Sequence, residues 1–455
     1  MKRLPPADCC FGLALLSLPL VGVDLYRAVT GSDLGAGLQP AYVLIAGAWL
    51  WRLFDLTVHG RARGWLPGRG QTMWRSAWFG WILAWAGILL ISGAGLWLAP
   101  SPVLPHEAWP RFAKQLVQVG IMGAFLLYPA LWVRGPRRWR WVLVCLSWAT
   151  ALQLGYAVLQ GVHMRTPLPV MDLIERIATS NPAILSGSTW LYLGGFTELP
   201  RLRGSMCEPL YLGNYLVGVL PLLLFAGQRR LAAAGVLVLW LTWSRGAWFA
   251  AAVALVVWWC LSRRAGLGLP VRRAIPFLIG AVACSLVVIL MVSGPRVFAW
   301  PYQRLLQTFD QSDWSNLTRY FSYQAAWRAW LQSPIVGVGW GQYPYHFYAL
   351  VDLRGLQSQF AWPVVNSLPL RVLCETGLLG FSLLLSAFWT LWRRTWRAMA
   401  AAATPRRRGR LAAAAAGCCG LGAHLLVFSQ YNLPHLWVLL GLWLAALVEA
   451  ESRTA

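Results

Sequence analysis

Long apolar runs, separated by short polar segments rich in arginine, recur along the whole chain. Runs such as 76–98, 112–133 and 275–293 are long enough to cross about 30 Å of hydrocarbon. Inside a bilayer every backbone N–H and C=O must find a partner within the protein, so each run is expected to be a helix. The pattern predicts an all-α polytopic membrane protein with about 12 transmembrane helices. The predicted spans are 9–28, 40–57, 76–98, 112–133, 141–160, 208–226, 231–243, 247–261, 275–293, 368–391, 411–429 and 435–450.

Composition and charge placement support this class. The 455 residues are 58% hydrophobic and 12% charged, about half the charged fraction of an ordinary soluble domain. The net charge of +24 would suit a nucleic-acid partner, but the basic residues lie in short clusters between apolar runs, such as Arg137-Arg138 and Arg229-Arg230. This positive-inside pattern argues against a nucleic-acid partner and predicts a multi-pass protein of the bacterial inner membrane with both termini in the cytoplasm.

This topology leaves two long external segments, at about 161–207 and 294–367. Segments of that length usually carry function or structure of their own. The chain then divides into four regions. These are N-terminal transmembrane helices with the first periplasmic loop (1–207), central transmembrane helices with a Ser-Arg-Gly motif (208–293), a large periplasmic loop (294–367) and C-terminal transmembrane helices (368–455).

The large loop has one clear helical pattern, over about 316–331. Ser315 or Asn316 is expected to cap it and Pro334 to end it. The glycine-rich stretch 337–341 that follows predicts a tight, exposed turn.

Three arginine-bearing motifs fall on the predicted external face. Arg201 and Arg203 precede the span that starts at 208, Arg245 lies between two short spans, and Arg319 lies on the predicted loop helix. A charge at the membrane surface is costly unless it is paired or faces a wet cavity, which favours a functional role for Arg245 over a snorkelling one. Guanidinium groups hold phosphate oxygens through a fork of donors. We interpret this face as a site for a phosphate-rich ligand.

Glu208 and His346 are the candidate proton-transfer groups on this face. Glu208 is either a general base towards an acceptor hydroxyl or a structural carboxylate in an ion pair or at a helix N-terminus. His346 is either a base or a solvent-facing structural residue, and we favour the structural role. No Asp-x-Asp pair and no His/Cys cluster occurs here, so neither a metal nor a cofactor is expected. Cys207 and Cys374 are either free or joined in a disulfide.

Residues 239–248 are Leu-Trp-Leu-Thr-Trp-Ser-Arg-Gly-Ala-Trp. This stretch is similar to the Leu-Thr-x-Ser-Arg-Gly-Ala-Trp signature of the bacterial O-antigen ligase and O-antigen polymerase superfamily. Arg319 followed by Ser-Pro-Ile-Val-Gly-Val-Gly-Trp-Gly at 333–341 also resembles the family. The stretch 366–380, which begins Asn-Ser-Leu-Pro-Leu-Arg, looks like the segment that closes the family's large loop. The order of these matches around one external loop makes the joint signal specific.

The resemblance implies a GT-C-like membrane glycosyltransferase of about 12 helices with a periplasmic loop over its site. It implies an undecaprenyl-pyrophosphate-linked glycan as the donor. In ligases the acceptor is the lipid A core, and in polymerases it is another lipid-linked repeat, with a chain-length regulator as a further partner. By position, the family's phosphate-binding arginines correspond to Arg203, Arg245 and Arg319, with Arg201 as an additional candidate.

One departure bears on the choice between ligase and polymerase. Ligases usually begin the post-loop segment with His-Asn, whereas this chain has Asn366-Ser367. The Glu-Pro at 208–209, followed by Gly-Asn-Tyr at 213–215, looks more like polymerases of O-antigen and exopolysaccharide. We therefore favour a polymerase with Glu208 as base. The alternatives are a ligase that uses His346 or no side-chain base, and a transporter or flippase of lipid-linked sugar.

Overall fold

The structure is a computed structural model that describes residues 5–23, 38–59, 77–100, 105–178 apart from 164, 165 and 167, 201–267, 306, 308, 310, 314–351 and 363–452 apart from 403. These residues form helices and connecting loops, with no strand among them. The α-helices are α1 (Pro6–Ser17), α2 (Pro40–His59), α3 (Ala77–Ile91), α4 (Pro105–Trp132), α5 (Gly135–His163), α6 (Pro169–Ala178), α7 (Pro209–Phe225), α8 (Arg229–Leu241), α9 (Arg245–Arg264), α10 (Trp314–Gln332), α11 (Tyr343–Leu350), α12 (Leu368–Ala401), α13 (Pro405–His424) and α14 (Pro434–Glu451). A 3-10 helix, Ser92–Leu98, continues α3.

Most of the predicted spans coincide with helices. Eleven of the 12 overlap a described helix, the first only in part because α1 ends at Ser17. The span 275–293 lies outside the described residues. Seven of the described helices are long and apolar enough to cross a membrane, and α1 and α7 are shorter apolar helices. The described part of the chain is all-helical, its long apolar helices are those of a multi-pass membrane protein, and the count of 12 spans stays a prediction.

The centre of the bundle is built around α13, which is rich in alanine and glycine. A Cβ at Gly417 would lie 2.3 Å from the carbonyl oxygen of Gly218 in α7. A Cβ at Gly420 would lie 2.9 Å from the carbonyl oxygen of Ala250 in α9. Small residues let helix backbones approach closely in a membrane, where packing rather than the hydrophobic effect drives helix association. The helices α7 and α9, which begin at candidate site residues, are thus packed tightly on α13.

The large loop carries the predicted helix. The prediction over 316–331 is confirmed by α10. The predicted caps are wrong, because Ser315 and Asn316 lie within the first turn of α10 and not before it. The turn at 337–341 is tight, with positive φ at its three glycines. It is buried rather than exposed, because it packs against α12.

The helix α12 is broken at Gly377, whose φ of 63° and ψ of −164° are not helical. A break of this kind leaves carbonyl groups on one side without their usual partners further along the helix. The turn after α10 supplies replacements. The Val338 N–H donates to the Cys374 carbonyl at 3.0 Å, and the Gly339 N–H donates to the Glu375 carbonyl at 3.2 Å.

The amides on the other side of the break are paired in the same way. The Leu378 N–H donates to the Pro334 carbonyl at 2.8 Å, and the Leu379 N–H donates to the Ile335 carbonyl at 3.2 Å. Four backbone hydrogen bonds therefore join the segment 334–339 to α12. They replace bonds that a continuous helix would have made within itself, and they hold the end of α10 against the bundle.

Buried ion pairs fix other helix ends. Asp8 of α1 pairs with Arg52 of α2 and, at 3.1 Å, with Arg138 of α5. Glu449 of α14 pairs with Arg410 of α13. Removing one member of a buried pair leaves an uncompensated charge, so such pairs fix the helices that carry them relative to one another.

The two cysteines near the predicted external face are not joined. Cys207 is half-buried just before α7 and Cys374 is buried in α12. Both are free thiols, so the disulfide alternative is wrong.

We expect Gly337→Ala to lower the free energy of unfolding by about 1–3 kcal/mol. The residue has a φ of +76°, and a Cβ there would lie 2.4 Å from backbone atoms of Glu375 and Thr376, which cannot rotate away. The measurement is the thermal unfolding midpoint of the purified protein in nanodiscs. Gly123→Ala is the matched control, because a Cβ at this α4 glycine would meet no neighbouring atom within 4 Å and alanine favours helix. Equal midpoints for the two variants would contradict the expectation.

Candidate functional site

The Ser-Arg-Gly motif forms a strained turn between α8 and α9. Trp243 has a φ of 52°, the only positive value for a non-glycine residue in the described part of the chain. Around it, the Thr242 hydroxyl donates to the Leu239 carbonyl at 2.7 Å, and the Ser244 hydroxyl accepts from the Ala247 N–H at 3.3 Å. A bulky residue in this conformation persists only where its surroundings hold it, and such strain clusters at functional sites.

Three tryptophans stabilise this turn. The rings of Trp240 and Trp248 stack with centroids 4.4 Å apart, and the Trp243 ring lies 5.9 Å from Trp248 at a steep angle. Aromatic pairs in these geometries contribute beyond the area that they bury. The cluster therefore supports the strained backbone from which Arg245 projects.

Arg245 connects the turn to the large loop. Its guanidinium donates to the Thr308 hydroxyl and to the Asn316 side-chain oxygen, each at 3.3 Å. The amide nitrogen of Asn316 in turn donates to the Asp310 carbonyl at 2.8 Å. Asn316 is thus a bridge between the loop and Arg245, not the helix cap that the sequence predicts.

Arg319 lies three residues after Asn316 on α10, so the two side chains are neighbours on one helix face. It is half-buried, and no hydrogen bond or ion pair within the described residues engages its guanidinium. Its charge acts on Tyr323, one turn further on, where burial raises the pKa of the phenol and Arg319 opposes the rise. The Tyr323 hydroxyl donates to the Asn366 carbonyl at 3.2 Å. The segment that closes the loop therefore lies beside Arg319.

Asn366 is held by its backbone. Its N–H donates to the Ser322 hydroxyl at 2.9 Å, in addition to the contact of its carbonyl with Tyr323. The residue is half-buried. These two hydrogen bonds fix the backbone of Asn366 and do not involve its side chain.

Arg201 contacts the Ser-Arg-Gly turn, and Glu208 lies close enough to Arg201 for the two charges to interact. The Arg201 guanidinium donates to the Thr242 carbonyl at 3.0 Å, and the Leu202 N–H donates to the Leu241 carbonyl at 3.1 Å. Glu208 is the last residue before α7, and its side chain caps no amide of that helix. Burial raises the pKa of the Glu208 carboxyl, while the charge of Arg201 opposes the rise. A carboxyl with a raised pKa is a stronger base than an ordinary one.

Arg203 has a different environment. It is 1% exposed and pairs with Glu175 of α6, and its guanidinium also donates to the Met206 carbonyl at 2.8 Å. The amides of Arg203 and Gly204 both donate to the Gln160 side-chain oxygen at 3.1 Å. These contacts hold the segment before α7 in place, and the charge of the Arg203 guanidinium is paired with the Glu175 carboxylate.

His346 lies on the short helix α11 and is 1% exposed, so the predicted solvent-facing role is wrong. Burial lowers the pKa of its imidazole to about 4. The Nε2 atom has no hydrogen-bond partner within the described residues. The ring is therefore neutral near pH 7 and enclosed in the loop core.

Two sets of residues were missed from the sequence. Arg371 and Glu375 form a buried ion pair at 2.9 Å in α12, and the Arg371 guanidinium packs against the rings of Trp340 and Tyr431, 5.2 and 4.9 Å from their centroids. Their spacing of four residues in a helical segment was a signal, because it places both on one face.

The second set is a buried polar chain of Asn214, His424 and His435. Asn214 lies in the polymerase-like Gly-Asn-Tyr stretch at 213–215, whereas His424 and His435 lie in or next to apolar runs with no recognisable motif around them. Within the described residues, no group of three or more His, Cys, Asp or Glu side chains is placed to hold a metal ion.

Comparison with known proteins finds one similar family, in the central and C-terminal part of the chain. No curated protein matches the sequence. Residues 231–385 match the family model described as O-antigen ligase. This region contains the Ser-Arg-Gly turn, Arg319, the buried glycine turn, Asn366 and the break in α12. Residues 231–385 are therefore similar to an O-antigen ligase domain, which supports the O-antigen ligase and polymerase superfamily.

Proposed function

We propose that this protein is a metal-independent inner-membrane glycosyltransferase that acts in the periplasm on undecaprenyl-pyrophosphate-linked glycans, with a GT-C-like architecture. The observation that carries the proposal is the bridge from Arg245 through Asn316 to α10, one turn before Arg319. It joins two guanidinium-bearing elements that are distant in sequence. Such an arrangement suits a ligand with two adjacent phosphates.

In this proposal Arg245 and Arg319 hold the pyrophosphate and stabilise the charge that develops on it as it departs. Cations fixed before the reaction stabilise developing charge without reorganising during the step. Arg203 has the family position of a phosphate ligand, but its ion pair with Glu175 favours a positioning role for the segment before α7. Arg201 acts on Glu208 rather than on phosphate.

Glu208 is the proposed general base. The acceptor hydroxyl oxygen attacks the anomeric carbon of the donor glycan, and its proton passes to the Glu208 carboxylate. The bond between that carbon and the phosphate oxygen breaks, and undecaprenyl pyrophosphate leaves with the electron pair. Burial raises the pKa of the Glu208 carboxyl, which makes it a stronger base than an ordinary carboxylate and so supports this role.

We favour extension of lipid-linked repeats, as in O-antigen or exopolysaccharide polymerases. Asn366 stands where ligases have histidine, and an amide does not take up a proton. His346 is enclosed in the loop and has a lowered pKa, which weighs against it as a ligase base. The alternative, transfer to the lipid A core, is favoured by the description of the matching family model as O-antigen ligase. A chain-length regulator is a proposed partner of the polymerase only.

The orientation is inferred from charge. Placing both termini in the cytoplasm leaves most of the 39 Lys and Arg residues inside and most of the 15 Asp and Glu residues outside. We expect a periplasmic reporter signal from a fusion at residue 350 and a cytoplasmic signal from one at the C-terminus. A cytoplasmic signal at residue 350 would put the site on the wrong side for this function.

We expect Arg245→Lys to lower the rate of polymer formation by a hundredfold or more, or about 2–4 kcal/mol in the barrier. Lysine keeps the charge but loses the fork of donors that spans two oxygens. The measurement is polymer length and rate on lipid-linked repeats, in a strain that lacks the native enzyme. Arg263→Lys, at the exposed far end of the same helix, is the matched control and should behave as wild type. Near-wild-type polymer from Arg245→Lys would assign this residue to a structural role.

We expect Glu208→Gln to lower the rate by about 10²–10⁴, because the amide keeps the shape of the side chain and loses proton acceptance. The same polymer assay measures it. Full-length polymer from this variant would end the general-base assignment. Transfer to lipid A core without chain extension by the wild-type protein would end the polymerase proposal and leave the ligase.

The pH dependence of the rate follows from the interaction between Glu208 and Arg201. A base works in its deprotonated form, so activity falls as pH drops through the raised pKa of Glu208. Arg201 lowers that pKa, so Arg201→Gln should raise it further and move the acidic limb of the pH–rate profile to higher pH. The profile of kcat/KM for wild type and Arg201→Gln measures this. If the acidic limb of the profile does not move in Arg201→Gln, the group that titrates there is not Glu208.

A further inference from the structure

A chain of three buried side chains links three helices at the centre of the bundle. The amide nitrogen of Asn214, in α7, lies 2.7 Å from His424 Nδ1 at the end of α13. The amide oxygen of Asn214 lies 2.8 Å from His435 Nε2 at the start of α14. All three residues are fully buried. The Tyr215 ring packs edge-on against the His435 ring with centroids 5.5 Å apart, which holds the second imidazole in place.

The amide group fixes where each imidazole carries its proton. An amide nitrogen can only donate, so His424 Nδ1 accepts, and the proton of the neutral His424 ring is on Nε2. An amide oxygen can only accept, so His435 donates from Nε2. The network thus sets His424 as a ring whose Nε2–H points away from Asn214.

That Nε2–H has no acceptor. Within the described residues, no hydrogen-bond partner lies near His424 Nε2, although the ring is fully buried. A buried donor without an acceptor costs about 1–3 kcal/mol. Such a group in a native structure calls for an explanation, and a catalytic role or a bound partner is one of them.

The location of this donor points to its acceptor. A Cβ added to Gly246 would lie 3.3 Å from His424 Nε2, so the ring faces the first turn of α9, next to Arg245. Arg319 is close enough for its charge to act on the His424 ring. The N-terminal end of an α-helix carries positive potential and amides without intrahelical acceptors. A helix N-terminus, two guanidinium-bearing residues and an unpartnered N–H suit an anionic oxygen.

We propose that His424 is a further substrate-binding residue, which donates its Nε2–H to a phosphate oxygen of the lipid-linked pyrophosphate, and that Asn214 and His435 position it. This inference rests on the proposed function, because it takes the same ligand and adds a third donor to Arg245 and Arg319. No proton is transferred by His424, and its contribution is one hydrogen bond to a charged acceptor.

Two substitutions of His424 distinguish the role of Nδ1 from that of Nε2. His424→Gln places an amide nitrogen near the Nε2 position and so keeps a donor for phosphate, while it loses the atom that meets Asn214. His424→Asn keeps a polar atom near the Nδ1 position for Asn214 and has nothing at Nε2. A residue that only supports the fold would prefer Asn, and a phosphate-binding donor would prefer Gln.

The experiment measures binding of undecaprenyl pyrophosphate to the purified full-length protein in nanodiscs, with undecaprenol as the control for the lipid tail. We expect His424→Asn to weaken binding by about tenfold to a hundredfold, as for one hydrogen bond to a charged group. We expect His424→Gln to retain most of the affinity. Equal affinities for the two variants, or weaker binding by Gln than by Asn, would overturn the proposal.

A second measurement avoids variants altogether. The chain has six histidines, so the nitrogen spectrum of the ¹⁵N-histidine-labelled wild-type protein contains few resonances. A protonated Nε2 resonance should shift on addition of undecaprenyl pyrophosphate and not of undecaprenol, and its absence would overturn the proposal. Wild-type protein that does not bind undecaprenyl pyrophosphate would overturn the proposed function itself. Wild-type protein that binds it without a shift of the Nε2 resonance would overturn this inference alone.

Discussion

The arrangement of the site depends on one exchange of backbone hydrogen bonds, at the break in α12. In a membrane protein, unpaired backbone groups are tolerated only where other parts of the protein satisfy them. The break at Gly377 frees such groups, and the segment 334–339 pairs with them through four hydrogen bonds. Because this segment directly follows α10, the loop helix cannot shift without unpairing backbone in the bundle. Asn316 lies on α10, so the hydrogen bonds that hold the end of α10 also fix the position of Asn316 relative to Arg245.

A buried ion pair secures the same junction from within. Arg371 and Glu375 lie on the first part of α12, just before the break. The Arg371 guanidinium packs against both the Trp340 ring of the glycine turn and the Tyr431 ring that precedes α14, and the Glu375 carboxylate accepts from the Tyr343 N–H at 3.3 Å. A buried pair is costly to separate. The pair therefore couples the loop, α12 and the segment before α14, so that elements far apart in sequence meet in one place.

The sequence predicted what depends on local pattern. The apolar runs predicted most helices, and the helical pattern over 316–331 predicted α10, because hydropathy and periodicity are properties of neighbouring residues. Partner choice is not local. Arg203 pairs with Glu175 across a stretch of loop, and Asn214 meets His424 from a position 210 residues away. The buried state of the 337–341 turn was missed for the same reason, since glycines predict a turn but not the helix break that covers it.

The arginines of the external motifs divide by the kind of partner that the fold gives them. Arg203 and Arg371 each pair with a buried carboxylate, so their charge is balanced within the protein. Arg245 donates to the neutral oxygens of the Thr308 hydroxyl and of the Asn316 amide, among its other contacts, and Arg319 forms no hydrogen bond or ion pair within the described residues. A neutral oxygen is a weaker acceptor than an ionised one, so a phosphate can displace it with a net gain. The arginines that are paired with carboxylates organise the site, and in the proposed function Arg319 supplies positive charge that an anionic ligand would meet.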